Sequence, residues 1–350
     1  MKLEDIITDI KPLDEAAMQA ARARQDTLTK PRGSLGKLEE LSIQLAGMKA
    51  DPLPSVEHKA VIVMAADHGV TAEGVSAYPS EVTAQMVLNF LHGGAAINVL
   101  AHQSRARVTV VDIGVARDFE PLPGLLQRKV MCGTRNLAQG PAMTREEAEQ
   151  ALQVGVDVLL EEAEHGLDIV ATGDMGIGNT TSSSAIAAVM TGLPVPEVVG
   201  RGTGIDDSGL ERKIRVIERA LAVNPPKADD AIDILHKVGG LEIAGLAGVM
   251  IAAAGRRIPV IVDGFISTAA ALIAVGLAPR LRDYLISAHQ SVEIGHQAML
   301  KHLNLTPLLD LNMRLGEGTG AALAFHLLEA STRILRDMAT FGEAGVSDKE

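Results

Sequence analysis

The sequence predicts an α/β protein: a parallel sheet with helices on both faces, joined by a small helical subdomain made from the two ends of the chain. Three observations carry this. From about residue 50 onward, short β-branched runs alternate with longer amphipathic stretches, the pattern of right-handed βαβ units. The segments before and after that region read as helices only. And each strand run stops at a polar corner, four of the five bearing glycine, at the edge where open parallel sheets bind ligands.

The elements run in order along the chain. Leu13–Leu28 and Leu35–Met48 are amphipathic helices, with Ser34 the expected N-cap of the second. Strand runs fall at Ala60–Ala65, Val108–Ile113, Asp168–Ala171, Ile258–Val262 and Tyr284–Ser287. Helical patterns lie between them. These are Glu81–Ala101, Arg145–His165 (Thr144 and Glu147 forming a capping box), Thr181–Thr191, Ser208–Val223, Ala228–Val238, Glu242–Ala254 and Ser267–Val275. A final long helix covers Thr319–Met338 with no strand after it. The expected division is a large α/β catalytic domain over 50–305, and a small helical subdomain from 1–49 together with 306–350. The strand ends Asp67-His68-Gly69, Asp112-Ile113-Gly114, Thr172-Gly173-Asp174, Asp263-Gly264 and Ala288-His289-Gln290 are expected to share one rim.

Composition narrows the function. A hydrophobic content of 47% describes a globular chain, not a disordered one. A net charge of −12 excludes a basic nucleic-acid-binding surface, and 2% aromatics leave few stacking platforms. The single Cys132, read as a small, partly buried thiol, cannot form an intrachain disulfide and fits a reducing cytosol. The N-terminus has early acids and no apolar signal core, so a cytoplasmic location is expected. The most apolar run, Gly264–Ala278, falls short of the ~20 residues of a membrane span. It reads as a buried strand–helix pair.

Two glycine clusters point to an anion. Thr172-Gly173-Asp174-Met175-Gly176-Ile177-Gly178-Asn179-Thr180-Thr181 follows a strand and opens a helix, so backbone N–H groups and a helix N-terminus face the same place. Gly200-Arg201-Gly202-Thr203-Gly204 precedes another helix that carries Lys213, a point charge suited to phosphate. Ordinary glycine turns are the alternative for each. Neither cluster is a Walker loop or a G-x-G-x-x-G fingerprint. The histidines form no metal-ligand pattern, and no metal or cofactor is expected. Asp67-His68 and His289 read as hydrogen-bonded structural residues. In Tyr78–Val87, Ser80 and Gln85 are neutral hydrogen-bonders among apolar neighbours, a setting for a flat heterocycle or simply a capped helix. Glu317, set in Arg314-Leu315-Gly316-Glu317-Gly318-Thr319-Gly320, is a carboxylate on flexible backbone that gains little there structurally. It either complements its helix dipole or touches a ligand.

These segments, with Ala66-Asp67-His68-Gly69-Val70 and Lys30-Pro31-Arg32-Gly33-Ser34-Leu35-Gly36, resemble the nicotinate-nucleotide–dimethylbenzimidazole phosphoribosyltransferase family from about residue 5 to about residue 340. The resemblance implies a homodimer with a Rossmann-like large domain and a small helical one, acting on small molecules. The implied reaction transfers the phosphoribosyl group of nicotinate mononucleotide to 5,6-dimethylbenzimidazole, giving α-ribazole 5-phosphate and nicotinate without a metal. By this likeness Glu317 is the general base and Asp174 a second catalytic residue. Gly176, Ile177, Gly178, Asn179, Thr180, Gly202 and Lys213 cradle phosphate and ribose, and Ser80, Gln85 and Leu315 hold the base. One departure stands out: the family commonly carries Glu where this chain has Asp174, a reach shorter by about 1.5 Å. A nucleotide-binding dehydrogenase and a non-catalytic sensor of a phosphorylated ligand are the rival readings.

Overall fold

Continuous apolar sequence makes the centre of the sheet. Lys59–Ala66 (β1) is buried along its whole length, as a parallel strand covered on both faces must be. In a computed structural model describing residues 1–347, five further strands join it. They are β2 (Ala106–Gly114), β3 (Leu125–Gln127), β4 (Ile169–Met175), β5 (Val260–Val262) and β6 (Leu285–Ser287). All pairings are parallel, in the order β3-β2-β1-β4-β5-β6. The chain thus winds outward from β1 on one side, then crosses back and winds outward on the other. This is the doubly wound Rossmann order, with its topological switch between β1 and β4.

The helices in the first third are α1 (Leu3–Asp9), α2 (Glu15–Thr27), α3 (Lys37–Lys49), α4 (Glu81–Leu91) and α5 (Ala96–Ser104). Next come α6 (Arg145–Glu164), α7 (Asn179–Thr191), α8 (Val195–Val198), α9 (Asp207–Val223) and α10 (Ala231–Val238). The last are α11 (Leu241–Gly255), α12 (Phe265–Leu277), α13 (Ile294–Leu303), α14 (Thr319–Asp337) and α15 (Phe341–Ala344). The capping box at Thr144 forms as the sequence indicates: Thr144 Oγ1 accepts from Glu147 N–H at 3.1 Å, and Glu147 Oε2 accepts from Thr144 N–H at 2.6 Å.

Five details differ from the sequence reading. The run Glu81–Ala101 is two helices, because Gly93-Gly94 breaks it between α4 and α5. Strand β4 extends through Thr172-Gly173-Asp174 to Met175, so the polar corner lies within the strand, where Gly173 pairs with Val63 and Asp174 with Met64. Strand β3 is a three-residue edge that follows Pro123-Gly124, too short to register as a pattern. Ser34 does not cap α3; Gly36 holds that position, and Glu39 reaches back to accept the Leu35 N–H at 3.0 Å. Cys132 is exposed, not partly buried.

Two packing features tie the helices together. Ala17 and Ala21 of α2, Ala46 of α3 and Leu335 of α14 form a small apolar cluster of their own. Beside it, Arg24 of α2 donates to the Leu335 and Arg336 carbonyls at 2.6 and 3.0 Å, satisfying the C-terminal end of α14. Elsewhere, α6 and α11 meet through glycine. A Cβ on Gly155 would collide with the Gly245 carbonyl oxygen, and one on Gly248 with that of Leu152. Gly155→Ala is therefore expected to destabilise the fold by about 1–3 kcal/mol through overpacking. A urea or thermal unfolding midpoint would read this, and an unchanged midpoint would mean the helices separate without cost.

Candidate active site

A cavity of about 320 Å³ opens at the carboxyl ends of β4, β5 and β6. Three of the five strand-end corners reach it, through Asp174, Gly264 and His289. Gly176, Ile177, Asn179, Thr180, Gly202 and Leu315 also line it. The β1 corner does not. Asp67 lines a neighbouring cavity of about 430 Å³ with Ser80, Gln85 and Arg117. Ser80 and Gln85 thus line a different cavity from Leu315, which stands 57% exposed at the first.

The two glycine clusters meet. Lys213, fully buried on α9, donates from Nζ to Thr180 Oγ1 at 2.8 Å and to the Gly200 carbonyl at 3.3 Å. A Cβ on Gly202 would lie 2.7 Å from that same Thr180 oxygen, so glycine is what lets the second cluster close on the first. Burial pushes the Lys213 ammonium down to about 8, against the charge of Glu293, which favours it. Gly178 sits at φ +96° to turn the chain into α7. Not every N–H of this loop faces a ligand: that of Ile177 is taken by Thr83 Oγ1 at 3.1 Å.

Glu317 is buried and lies in an unusual stretch of backbone. Gly316, Glu317 and Gly318 have φ of +87°, +62° and +91° in succession. A non-glycine residue in the left-handed region is strained unless its surroundings hold it there. Three contacts do so. The Glu317 N–H donates to the Asp174 carbonyl at 3.3 Å. Gly173 makes room, since a Cβ there would collide with the Glu317 carbonyl oxygen. Asp263, at the end of β5, accepts the N–H groups of Gly318 and Ala321 at 3.2 and 2.9 Å. Asp263 therefore caps α14, and Glu317 does not serve its own helix. Its Oε2 accepts instead from Ile97 N–H, in the first turn of α5, at 3.2 Å.

Burial raises the Glu317 pKa, the Ile97 N–H opposes this, and the charge of Asp263 adds to it. Burial holds Asp174 well above the usual carboxylate range, with Asp263, Glu242 and Glu317 repelling its charge and the Asn179 amide, 3.0 Å away, favouring it. Asp263 itself is pushed up to about 6 by burial, with His289 and its backbone donors pulling down. A rim of repelling carboxylates suits proton transfer near neutral pH. Sequence reasoning named Asp263-Gly264 as a corner but gave Asp263 no role.

Of the two histidines read as hydrogen-bonded structural residues, His68 has such bonds, whereas His289 lines the first cavity and its Nδ1 is buried with no hydrogen-bond partner among the described residues. His68 Nε2 lies 2.6 Å from Glu242 Oε1 and Nδ1 lies 3.1 Å from Ser182 Oγ. His289 stands apart from it, 3.8 Å from Asp263 Oδ1.

Residues 10–346 match a family model described as phosphoribosyltransferase. Over 347 residues the chain is 60% identical to the nicotinate-nucleotide–dimethylbenzimidazole phosphoribosyltransferase of Roseiflexus sp. (strain RS-1), covering 99% of this chain and 98% of that one. The chain belongs to the nicotinate-nucleotide–dimethylbenzimidazole phosphoribosyltransferase family. The protein of that name from Chloroflexus aurantiacus (strain ATCC 29366 / DSM 635 / J-10-fl) is likewise 60% identical, with 99% of each chain covered. The crystal structure of the phosphoribosyltransferase of that name from Thermus thermophilus superposes with a TM-score of 0.91 at 50% identity, covering 96% of this chain and 100% of that one. A member of this phosphoribosyltransferase family is an enzyme, and the sheet order above is the family's α/β fold.

Proposed function

We propose that this enzyme moves the phosphoribosyl group of nicotinate mononucleotide to 5,6-dimethylbenzimidazole, a step in building the lower-ligand nucleotide of cobalamin, and that it works as a homodimer. One ring nitrogen of the base attacks the anomeric carbon and the glycosidic bond to the pyridinium breaks, with inversion. Nicotinate departs with the bonding electron pair, which neutralises its ring. The attacking base would become cationic, and Glu317 takes the proton from its other nitrogen. The observation that carries this reading is Glu317 itself: a buried carboxylate with a raised pKa, tied through its N–H to the Asp174 carbonyl at the end of β4 and following Gly316, which lines the first cavity. Little acid catalysis is needed, because the leaving pyridinium is already charged.

Gly176–Thr180, Gly202 and Lys213 hold the phosphate and ribose in this reading. Asp174, its carboxyl held above the usual range by burial, orients a ribose hydroxyl. Leu315 packs on the benzimidazole ring. Ser80 and Gln85, which line the cavity beside Asp67, are assigned to that ring by the family likeness. Mixing folded enzyme with the two substrates should release nicotinate, measurable by chromatography, and no release would sink the reading.

The pKa directions set a pH profile. Glu317 must be ionised to accept a proton, so the rate falls as pH drops through a value above the ordinary 4.5. Lys213 must be charged to hold phosphate, so donor KM rises above about pH 8. Lys213→Met should raise donor KM roughly tenfold, the low end for a lost charge-assisted hydrogen bond, and remove the alkaline rise. A variant that keeps that rise would show that another group causes it.

A further inference from the structure

The anion cradle already contains an anion supplied by the chain. Glu293 lies between β6 and α13, lines the first cavity and is only 6% exposed. Its Oε1 accepts the Gly202 N–H at 2.9 Å. Its Oε2 is buried with no hydrogen-bond partner among the described residues. Gly200 is glycine against it, since a Cβ there would collide with Oε2. The carboxylate is thus seated among Gly200, Gly202 and the Lys213 charge, with Arg314 Nη1 anchoring the Gly202 carbonyl at 3.1 Å. A buried carboxylate oxygen left unpartnered carries a cost; Asp67 Oδ1 and Glu242 Oε2 share it, but of the three only Glu293 lines the first cavity. A phosphate entering the same cradle would meet both the occupied N–H and a like charge.

We propose that Glu293 is an internal stand-in for the donor's phosphate. It fills the cradle of the empty enzyme and is exchanged for the phosphate on binding, so that only an anion of higher charge, such as a phosphate dianion, displaces it. Small monoanions are thereby kept out. This rests on the phosphoribosyl reading above, through Gly202 and Lys213.

Titrating inorganic phosphate into the folded protein by calorimetry tests it without turnover. Glu293→Gln is expected to bind phosphate about tenfold tighter than the unmodified chain, and to lower donor KM in proportion. Equal or weaker phosphate binding by a folded Glu293→Gln variant would overturn the proposal. Should that variant not fold, a crystal structure of the unmodified protein soaked with inorganic phosphate decides. A phosphate oxygen on the Gly202 N–H, with Glu293 withdrawn, supports the exchange, and phosphate bound with the Glu293–Gly202 bond intact refutes it. Failure of the phosphoribosyl reading would appear separately, as no nicotinate release by the unmodified enzyme.

Discussion

Glu317→Gln is expected to lower kcat by about 10²–10⁴-fold, the span typical of losing a positioned general base. Glutamine keeps the shape and can still accept the Ile97 N–H, so the loop should hold. What it cannot do is take a proton. The phosphate cradle is built from other segments, so donor KM should change little, which assigns the loss to the chemical step. The acid limb of the pH–rate profile should vanish with the carboxylate. Full activity in a folded Glu317→Gln protein would remove Glu317 from the mechanism, and steady-state kinetics at several pH values is sufficient to see it.

Asp263→Asn is expected to have the next largest effect, a fall of about 10²-fold in kcat, since a displacement of about 1 Å in a catalytic group can cost that much. Asp263 holds Gly318 and Ala321, and between them they fix the left-handed run that presents Glu317. An asparagine can accept through one oxygen only, and its amide would face a donor. The same change acts on charge in a known direction. Asp263 raises the pKa of both Asp174 and Glu317, so its neutralisation lets both fall. The acid limb should therefore move to lower pH even as the rate drops. A residue that merely braced the fold would slow the enzyme and leave the limb where it was.

Much of this was legible in the sequence, where the signal was local. β-branched runs between helical stretches gave the central strands, and three of the five strand-end corners fell on the cavity. Glu317 stood out because a carboxylate among glycines has no local purpose. What was not legible depends on contacts between distant segments. The partners of Asp263 lie 55 and 58 residues away, and the partner of Glu317 lies 220 residues away. Glu293 looks like an ordinary loop acid in Ser291-Val292-Glu293, because the glycine it bonds is Gly202. Ser80 and Gln85 were grouped with Leu315 by the family likeness, and the cavity they line beside Asp67 is made by contacts that no local pattern shows. Edge strand β3 was lost for the opposite reason: its neighbours Pro123 and Gly124 are strong local turn signals that mask three residues of pairing.

The capping of α14 by Asp263 also has a consequence in time. A ribosome adds about 5–20 residues each second. Asp263 is therefore made roughly 3–12 seconds before Ala321, the second of the two donors that satisfy it. For nearly all of that interval the growing sheet carries an acid at the end of β5 with neither of those partners, and an open face where α14 will lie. A nascent chain can complete all six strands and still lack Glu317. Catalytic competence arrives last, in the same stretch of synthesis that closes the fold.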